Sequence, residues 1–120
     1  MKVTLGAVQF ACDADIAANL DTAEGLIRDA AARGAQIILP PELFFQPFFM
    51  NEGWTPKHFE LAEPHGSSRV VVWAKSLAKE LGIVIPANFF EKAGQAYFNT
   101  IALIDADGKD LGIYRKMHMP

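Results

Sequence analysis

The chain has 120 residues, with eleven Lys and Arg against fourteen Asp and Glu, a formal net charge of -3, 51% apolar and 21% charged residues. Such a chain buries roughly two-thirds of its unfolded surface in one domain, and its composition excludes a disordered segment or a polyanion binder. The basic residues are scattered with no RNP-like or zinc-knuckle pattern, so nucleic acid is not an expected partner, and apolar runs such as Ile101 to Ile104 are far shorter than the roughly 20 residues of a membrane span.

Met1-Lys2 leads directly into Val3-Thr4-Leu5, which reads as a strand and not as a charged leader before a long apolar stretch. The single cysteine, Cys12, excludes an intramolecular disulfide and fits a reducing, cytoplasmic setting.

Val3 to Gln9 is a nearly continuous apolar run, the pattern of an inner strand covered on both faces. From Asp15 to Arg33, Ile16, Leu20, Ala23, Ile27 and Ala30 recur at helical spacing, and Asn19, Asp21, Glu24, Arg28 and Asp29 take the other positions. Asp13 or Asp15 suits the N-cap, and Gly34 the position after the last turn. Gln36 to Leu39 is a second strand, stopped by Pro40-Pro41. This is a βαβ unit.

Phe44 to Pro64 has no clear period and reads as a long excursion, a kind of segment that often carries function. Ser67 or Ser68 then caps a helix with Val70, Ala74, Leu77, Ala78 and Leu81 on one face, ended by Gly82. Ile83 to Phe90 is a strand, Glu91 to Gln95 a hairpin turn, Tyr97 to Ile104 the next strand, and Asp105-Ala106-Asp107-Gly108 turns into Leu111 to Arg115. The order β-α-β-α-β-β-β predicts one α/β domain over residues 1–120, with a mixed sheet and both helices on one face. The strands are apolar on both sides, so the second face needs cover from more chain or from a partner subunit.

Two residues stand where chemistry is expected. Glu42 follows Pro40-Pro41 at the carboxyl end of a strand, the edge where α/β sheets form ligand crevices. A carboxylate there can serve as a base, and burial beside Leu43, Phe44 and Phe45 would raise its pKa. Lys116, just past the last strand, can stabilise a developing oxyanion. Taken singly, each is better read as a solvated surface charge, and the two become informative only jointly. Phe44, Phe45, Phe48, Phe49, Trp54 and Phe59 could line a substrate pocket near Glu42 or pack the loop onto the sheet. His58, His65 and His118 have no metal-ligand spacing. Cys12, after the first strand, reads as a small buried residue.

Several blocks in order make the pair informative: Val8-Gln9-Phe10, Asn19-Leu20, Ala32 to Leu39, Pro41-Glu42-Leu43-Phe44, Phe98-Asn99-Thr100, Asp105 to Gly108, and Tyr114-Arg115-Lys116-Met117-His118-Met119-Pro120. Over its whole length the chain resembles the nitrilase superfamily of carbon-nitrogen hydrolases, most closely its N-carbamoylputrescine amidohydrolase-like branch. The resemblance implies the N-terminal part of a four-layer α-β-β-α sandwich and a Glu-Lys-Cys catalytic set. In that set Glu42 is the general base and Lys116 holds the tetrahedral intermediate, without metal or organic cofactor, while His118 shapes the loop. The implied activity is hydrolysis of a linear amide or N-carbamoyl amine with release of ammonia. The implied partners are that small molecule and a second copy of the chain, or the remaining C-terminal part. The superfamily's cysteine lies well downstream of the Lys-x-His motif, Cys12 does not match it, and the expectation is that the 120 residues alone are inactive. Phe45-Gln46 departs from a Glu-containing stretch of the putrescine branch, which bears on substrate. Two other readings compete: a catalytically inactive scaffold or assembly module, and a flavodoxin-like binding module. The latter is disfavoured because Phe10-Ala11-Cys12 follows the first strand where a Gly-rich phosphate loop would be needed.

Overall fold

The computed structural model describes residues 1–49, 53 and 55–119. Strand β1 (Leu5–Ala7) crosses over through helix α1 (Ile16–Ala32) to strand β2 (Ile37–Leu39), which lies parallel to it. Helix α2 is a single turn (Pro56–Phe59), and helix α3 (Arg69–Leu81) leads into the antiparallel meander β3 (Ile85–Ala93), β4 (Ala96–Ile104) and β5 (Asp110–Arg115). A parallel bridge between Ile37 and Val84 joins the two parts, with Ile38 N donating to Val84 O at 3.0 Å and Val84 N to Gln36 O at 2.9 Å. The result is a mixed sheet in the order β1-β2-β3-β4-β5.

The helices form where the sequence supplies both stripe and caps. Asp15 Oδ1 accepts from Ala17 N and Ala18 N at 2.9 and 3.3 Å, satisfying two donors that the first turn of α1 leaves unpaired. Ser68 caps α3 through Val71 N, and Gly82 ends it with φ 65°, which costs a glycine little. Ala23 and Ile27 of α1, and Val70, Ala74, Leu77 and Ala78 of α3, are buried against Ile38, Ile85, Ala87, Phe89, Ala102 and Ile104 of the sheet. Each fully buried Ile or Phe in that layer contributes about 2–3 kcal/mol of transfer free energy.

Three expectations change, and one open choice is decided. β1 is not a covered inner strand: it pairs only with β2 among the described residues, and Leu5 is 72% exposed. Its two-sided apolarity is real, since an added Cβ at Gly6 would meet Ala35 and Ile38 beneath the sheet, but Leu5 and Ala7 face outward. Asn19, grouped with the polar face of α1, is 2% exposed. Its amide exchanges hydrogen bonds with Asp13 N and O, and donates to Phe45 O at 2.9 Å, fastening α1 to the segment after Glu42. The hairpin turn is shorter than Glu91 to Gln95. The strands run on to Ala93 and Ala96, leaving Gly94-Gln95 between them and Glu91 inside β3. Of the two readings left open for the aromatic stretch, packing fits Phe44, Phe45 and Phe49, which are buried in the core and do not line the recess beside Glu42, while Phe59 is half-buried against Tyr97. Trp54 lies outside the described residues.

Strand alternation leaves Leu5 and Leu39 together with Leu103 and Tyr114 on the face away from the helices, all at least 40% exposed. The chemistry-bearing residues stand on that same open face.

Candidate active site

β2 ends at Leu39, and Pro40-Pro41 carries the chain out of the sheet to Glu42. The next residue, Leu43, has φ 47°, the left-handed region that costs a non-glycine residue about 1 kcal/mol or more. Two features hold it there: its side chain is fully buried, and its N–H donates to Asn88 Oδ1 on β3. The bend therefore fixes Glu42 just past the end of β2, within reach of Asn99 on β4 and of Lys116 just past the end of β5.

Lys116 arrives from the other side. The pairing of β4 with β5 continues one residue past Arg115, through Lys116 N to Asn99 O at 2.8 Å. Lys116 Nζ then stands 2.8 Å from Glu42 Oε1, although 74 positions separate the two residues. Asn99 Nδ2 donates to the same oxygen at 2.7 Å. Asn99 is itself held by Asn88, whose Nδ2 donates to Asn99 Oδ1 at 2.6 Å and to Thr100 O at 2.9 Å. With Leu39, Pro40, Ile101 and Tyr114 these residues line an open recess of roughly 250 Å³.

The electrostatics differ from the sequence-based expectation. Glu42 is not pushed up by apolar burial; its carboxyl is held below the ordinary value, first by the hydrogen bond from Lys116, with burial opposing and Asn99 assisting. Leu43 to Phe45 turn into the core, whereas the Glu42 side chain is 44% exposed beside a cation. Oε1 takes both donors. Oε2 accepts no hydrogen bond from the described residues and is the oxygen open to an incoming proton.

Cys12 lies elsewhere. Its Sγ donates to Phe44 O at 3.2 Å, and burial raises its thiol pKa. His118 is exposed beside Lys116.

Asn88 and Asn99 are the site residues that sequence reasoning passed over. The signal was available: each is a polar residue inside an otherwise apolar strand, and a buried polar group is more informative than a buried apolar one.

Residues 4–120 match the carbon-nitrogen hydrolase family. The chain belongs to that family. Among curated carbon-nitrogen hydrolases, it is 48% identical over 118 residues to the N-carbamoylputrescine amidase of Solanum lycopersicum, covering 98% of this chain and 39% of the relative. It is 42% identical over 119 residues to the citrullinase of Francisella tularensis subsp. tularensis, covering 99% and 41%. The fold matches that of a carbon-nitrogen hydrolase from Helicobacter pylori G27 with a TM-score of 0.88 at 26% identity, over 98% of this chain and 40% of that one. The chain thus spans about two-fifths of the length of these relatives.

Proposed function

We propose that these residues form the base-and-cation half of a hydrolase active site that cleaves the carbon-nitrogen bond of a linear amide or N-carbamoyl amine. The observation that carries the reading is the Glu42–Lys116 contact in a recess on the sheet's open face. N-carbamoylputrescine and citrulline, the compounds for which two of the relatives are named, share a terminal carbamoyl group on nitrogen, which favours the N-carbamoyl class. In this reading Glu42 Oε2 takes the proton of a cysteine thiol contributed by residues outside these 120, and the sulfur attacks the carbonyl carbon. Lys116 stabilises the negative charge that develops on the carbonyl oxygen. Collapse of the intermediate breaks the carbon-nitrogen bond, the proton held by Glu42 passes to the leaving nitrogen, and ammonia departs. Water, deprotonated by the same carboxylate, then attacks the thioester-type intermediate, the carbon-sulfur bond breaks and the proton returns to the leaving sulfur; from an N-carbamoyl amine the carbamic acid so released loses carbon dioxide to leave the amine. Leu5, Leu39, Leu103 and Tyr114 are covered in this reading by the remaining layers of the sandwich or by a second copy. The one free cysteine, Cys12, supports a reducing, cytoplasmic setting; separately, no helix among the described residues is long and apolar enough to cross a membrane.

A scaffold without catalysis is the second reading, favoured by the placement of Cys12, whose sulfur bonds Phe44 O and is not among the residues lining the recess. Ammonia release from N-carbamoylputrescine, citrulline and simple amides separates the two. The purified chain is assayed alone and with the segment that follows the Lys-x-His motif in its relatives, supplied in trans. Turnover on adding that segment, abolished by Glu42→Gln, is the expected result. Turnover insensitive to Glu42→Gln overturns the assignment, and no turnover in either arm favours the scaffold. Turnover by the chain alone at about 1 per second or faster would place the nucleophile within these 120 residues.

A further inference from the structure

Glu91 is 2% exposed, yet the mechanism above does not use it. Its carboxylate accepts three hydrogen bonds: from Arg115 Nε at 2.9 Å, from Arg115 Nη2 at 2.7 Å, and from Thr100 Oγ1 at 2.6 Å. The guanidinium lies 4.1 Å above the ring of Phe98, so Arg115 spans β4 to reach β3. Strand alternation sets where these groups stand. Glu91, Phe98, Thr100 and Arg115 share the face of the sheet that carries the helices, with Phe89 and Ala102, whereas Asn88, Asn99, Tyr114 and Lys116 share the open face. Asn99 and Thr100 are consecutive, and so are Arg115 and Lys116. Each pair sends one side chain to Glu42 and the other to Glu91.

We propose that Glu91 is a positioning residue for the Glu42–Lys116 pair: by clamping Arg115 and Thr100 on the covered face, it fixes the backbone that presents Lys116 and Asn99 to Glu42 on the open face. The inference rests on the catalytic reading above, but its geometry does not depend on the substrate. β5 is held by its pairing with β4 and by the His65–Asp110 contact at its start, but all its residues except Asp110 are exposed, and at its far end a bidentate guanidinium adds a side-chain contact that resists sliding or fraying. A surface ion pair would not do this, whereas a carboxylate buried to 2% has no solvent alternative to its three donors.

The test uses Glu91→Gln, Arg115→Lys and the double variant Glu91→Gln/Arg115→Met, which removes both charges together and guards against a single variant that fails to fold. The first readout is the titration of the Glu42 carboxyl in the 120-residue chain, followed by carbon NMR. Glu42 faces Lys116, Asn99 and, through Asn99, Asn88, while Glu91 faces Arg115 and Thr100 and feels His65. Loosening Lys116 should move the Glu42 titration upward in all three variants. The second readout is turnover in the presence of the segment supplied in trans, where kcat should fall on the order of 10²-fold, the cost of a misplaced catalytic group, with KM little changed. Variants that keep the native circular dichroism, titrate Glu42 as the unsubstituted chain does and retain kcat overturn the proposal. If Glu42→Gln leaves turnover intact, the catalytic reading fails, and the titration alone still decides whether Glu91 positions Lys116.

Discussion

Asn99 donates to the same oxygen of Glu42 that receives Lys116, at 2.7 and 2.8 Å, so one carboxylate oxygen is doubly occupied and the other is open. Asn99→Leu is expected to lower kcat by about 10- to 100-fold through misplacement of the base. It should also move the acid limb of the pH profile upward, because Asn99 helps hold the Glu42 carboxyl low. Steady-state kinetics across pH check both. An unshifted acid limb would mean that the amide does not touch the base in the working enzyme.

Glu91→Ala should destabilise the fold by about 2 kcal/mol, less than the roughly 3–5 kcal/mol of breaking a fully buried pair, since the Arg115 side chain is 41% exposed and can regain water. The Glu91 carboxyl lies below its ordinary 4.5, chiefly through Arg115, with burial opposing. The unfolded chain therefore binds this proton at a higher pH than the folded one. The stabilisation is present in full above about pH 4.5 and is lost as pH falls through the folded carboxyl's own titration. Urea midpoints between neutral and acid pH should fall more steeply for the parent than for Glu91→Gln, and equal slopes would count against the buried pair.

Cys12 should alkylate slowly at neutral pH, because burial raises its thiol above the ordinary 9.0 and Sγ is bonded to Phe44 O. Iodoacetamide labelling followed by mass spectrometry measures this. Fast labelling that Glu42→Gln abolishes would expose a thiol activated by the carboxylate.

Gly108 and Gly94 make a matched pair. Both have positive φ, 83° and 61°, but an added Cβ at Gly108 would sit 2.8 Å from Lys75 O of α3, and one at Gly94 would meet nothing within 4 Å. Gly94→Ala should cost about 1 kcal/mol, the penalty of the left-handed conformation, and Gly108→Ala at least about 1 kcal/mol more from the clash. Thermal unfolding of the two variants compares them directly, and equal losses would mean that α3 yields freely at Lys75.

The elements that sequence made legible are those with local signatures. The α1 stripe with Asp15 at its head and Gly34 past its end, the Ser68 cap of α3, and the stop at Pro40-Pro41 each state their structure within a few residues. Glu42 and Lys116 were found through motif order, and the structure brings their side chains together. What stayed hidden depends on partners distant in sequence. Asn19 looked like a surface residue because nothing nearby in sequence shows that Phe45 O would need its amide. Glu91 looked like a turn residue because Arg115 lies 24 positions away on another strand. The lowered pKa of Glu42 could not be read from its apolar neighbours in sequence, since a cation 74 positions away outweighs their burial.

The bridge between Ile37 and Val84 also bears on the order in which the chain is expected to fold. β3, β4 and β5 are sequence neighbours joined by short turns, so the meander closes small loops, while β2 reaches β3 only after a long intervening stretch that contains α2 and α3. Contacts of high sequence separation form late because their loop entropy must be overcome first. Arg115, Asn99 and Lys116 are therefore expected to reach their places before Glu42, whose carboxylate would arrive when β2 docks on the meander. In pulse-labelled exchange during refolding, the amides of β4 should be protected before those of Ile38 and Val84. A chain stalled before that docking step would carry the cation and its clamp without the base, and would be inert however well formed its meander.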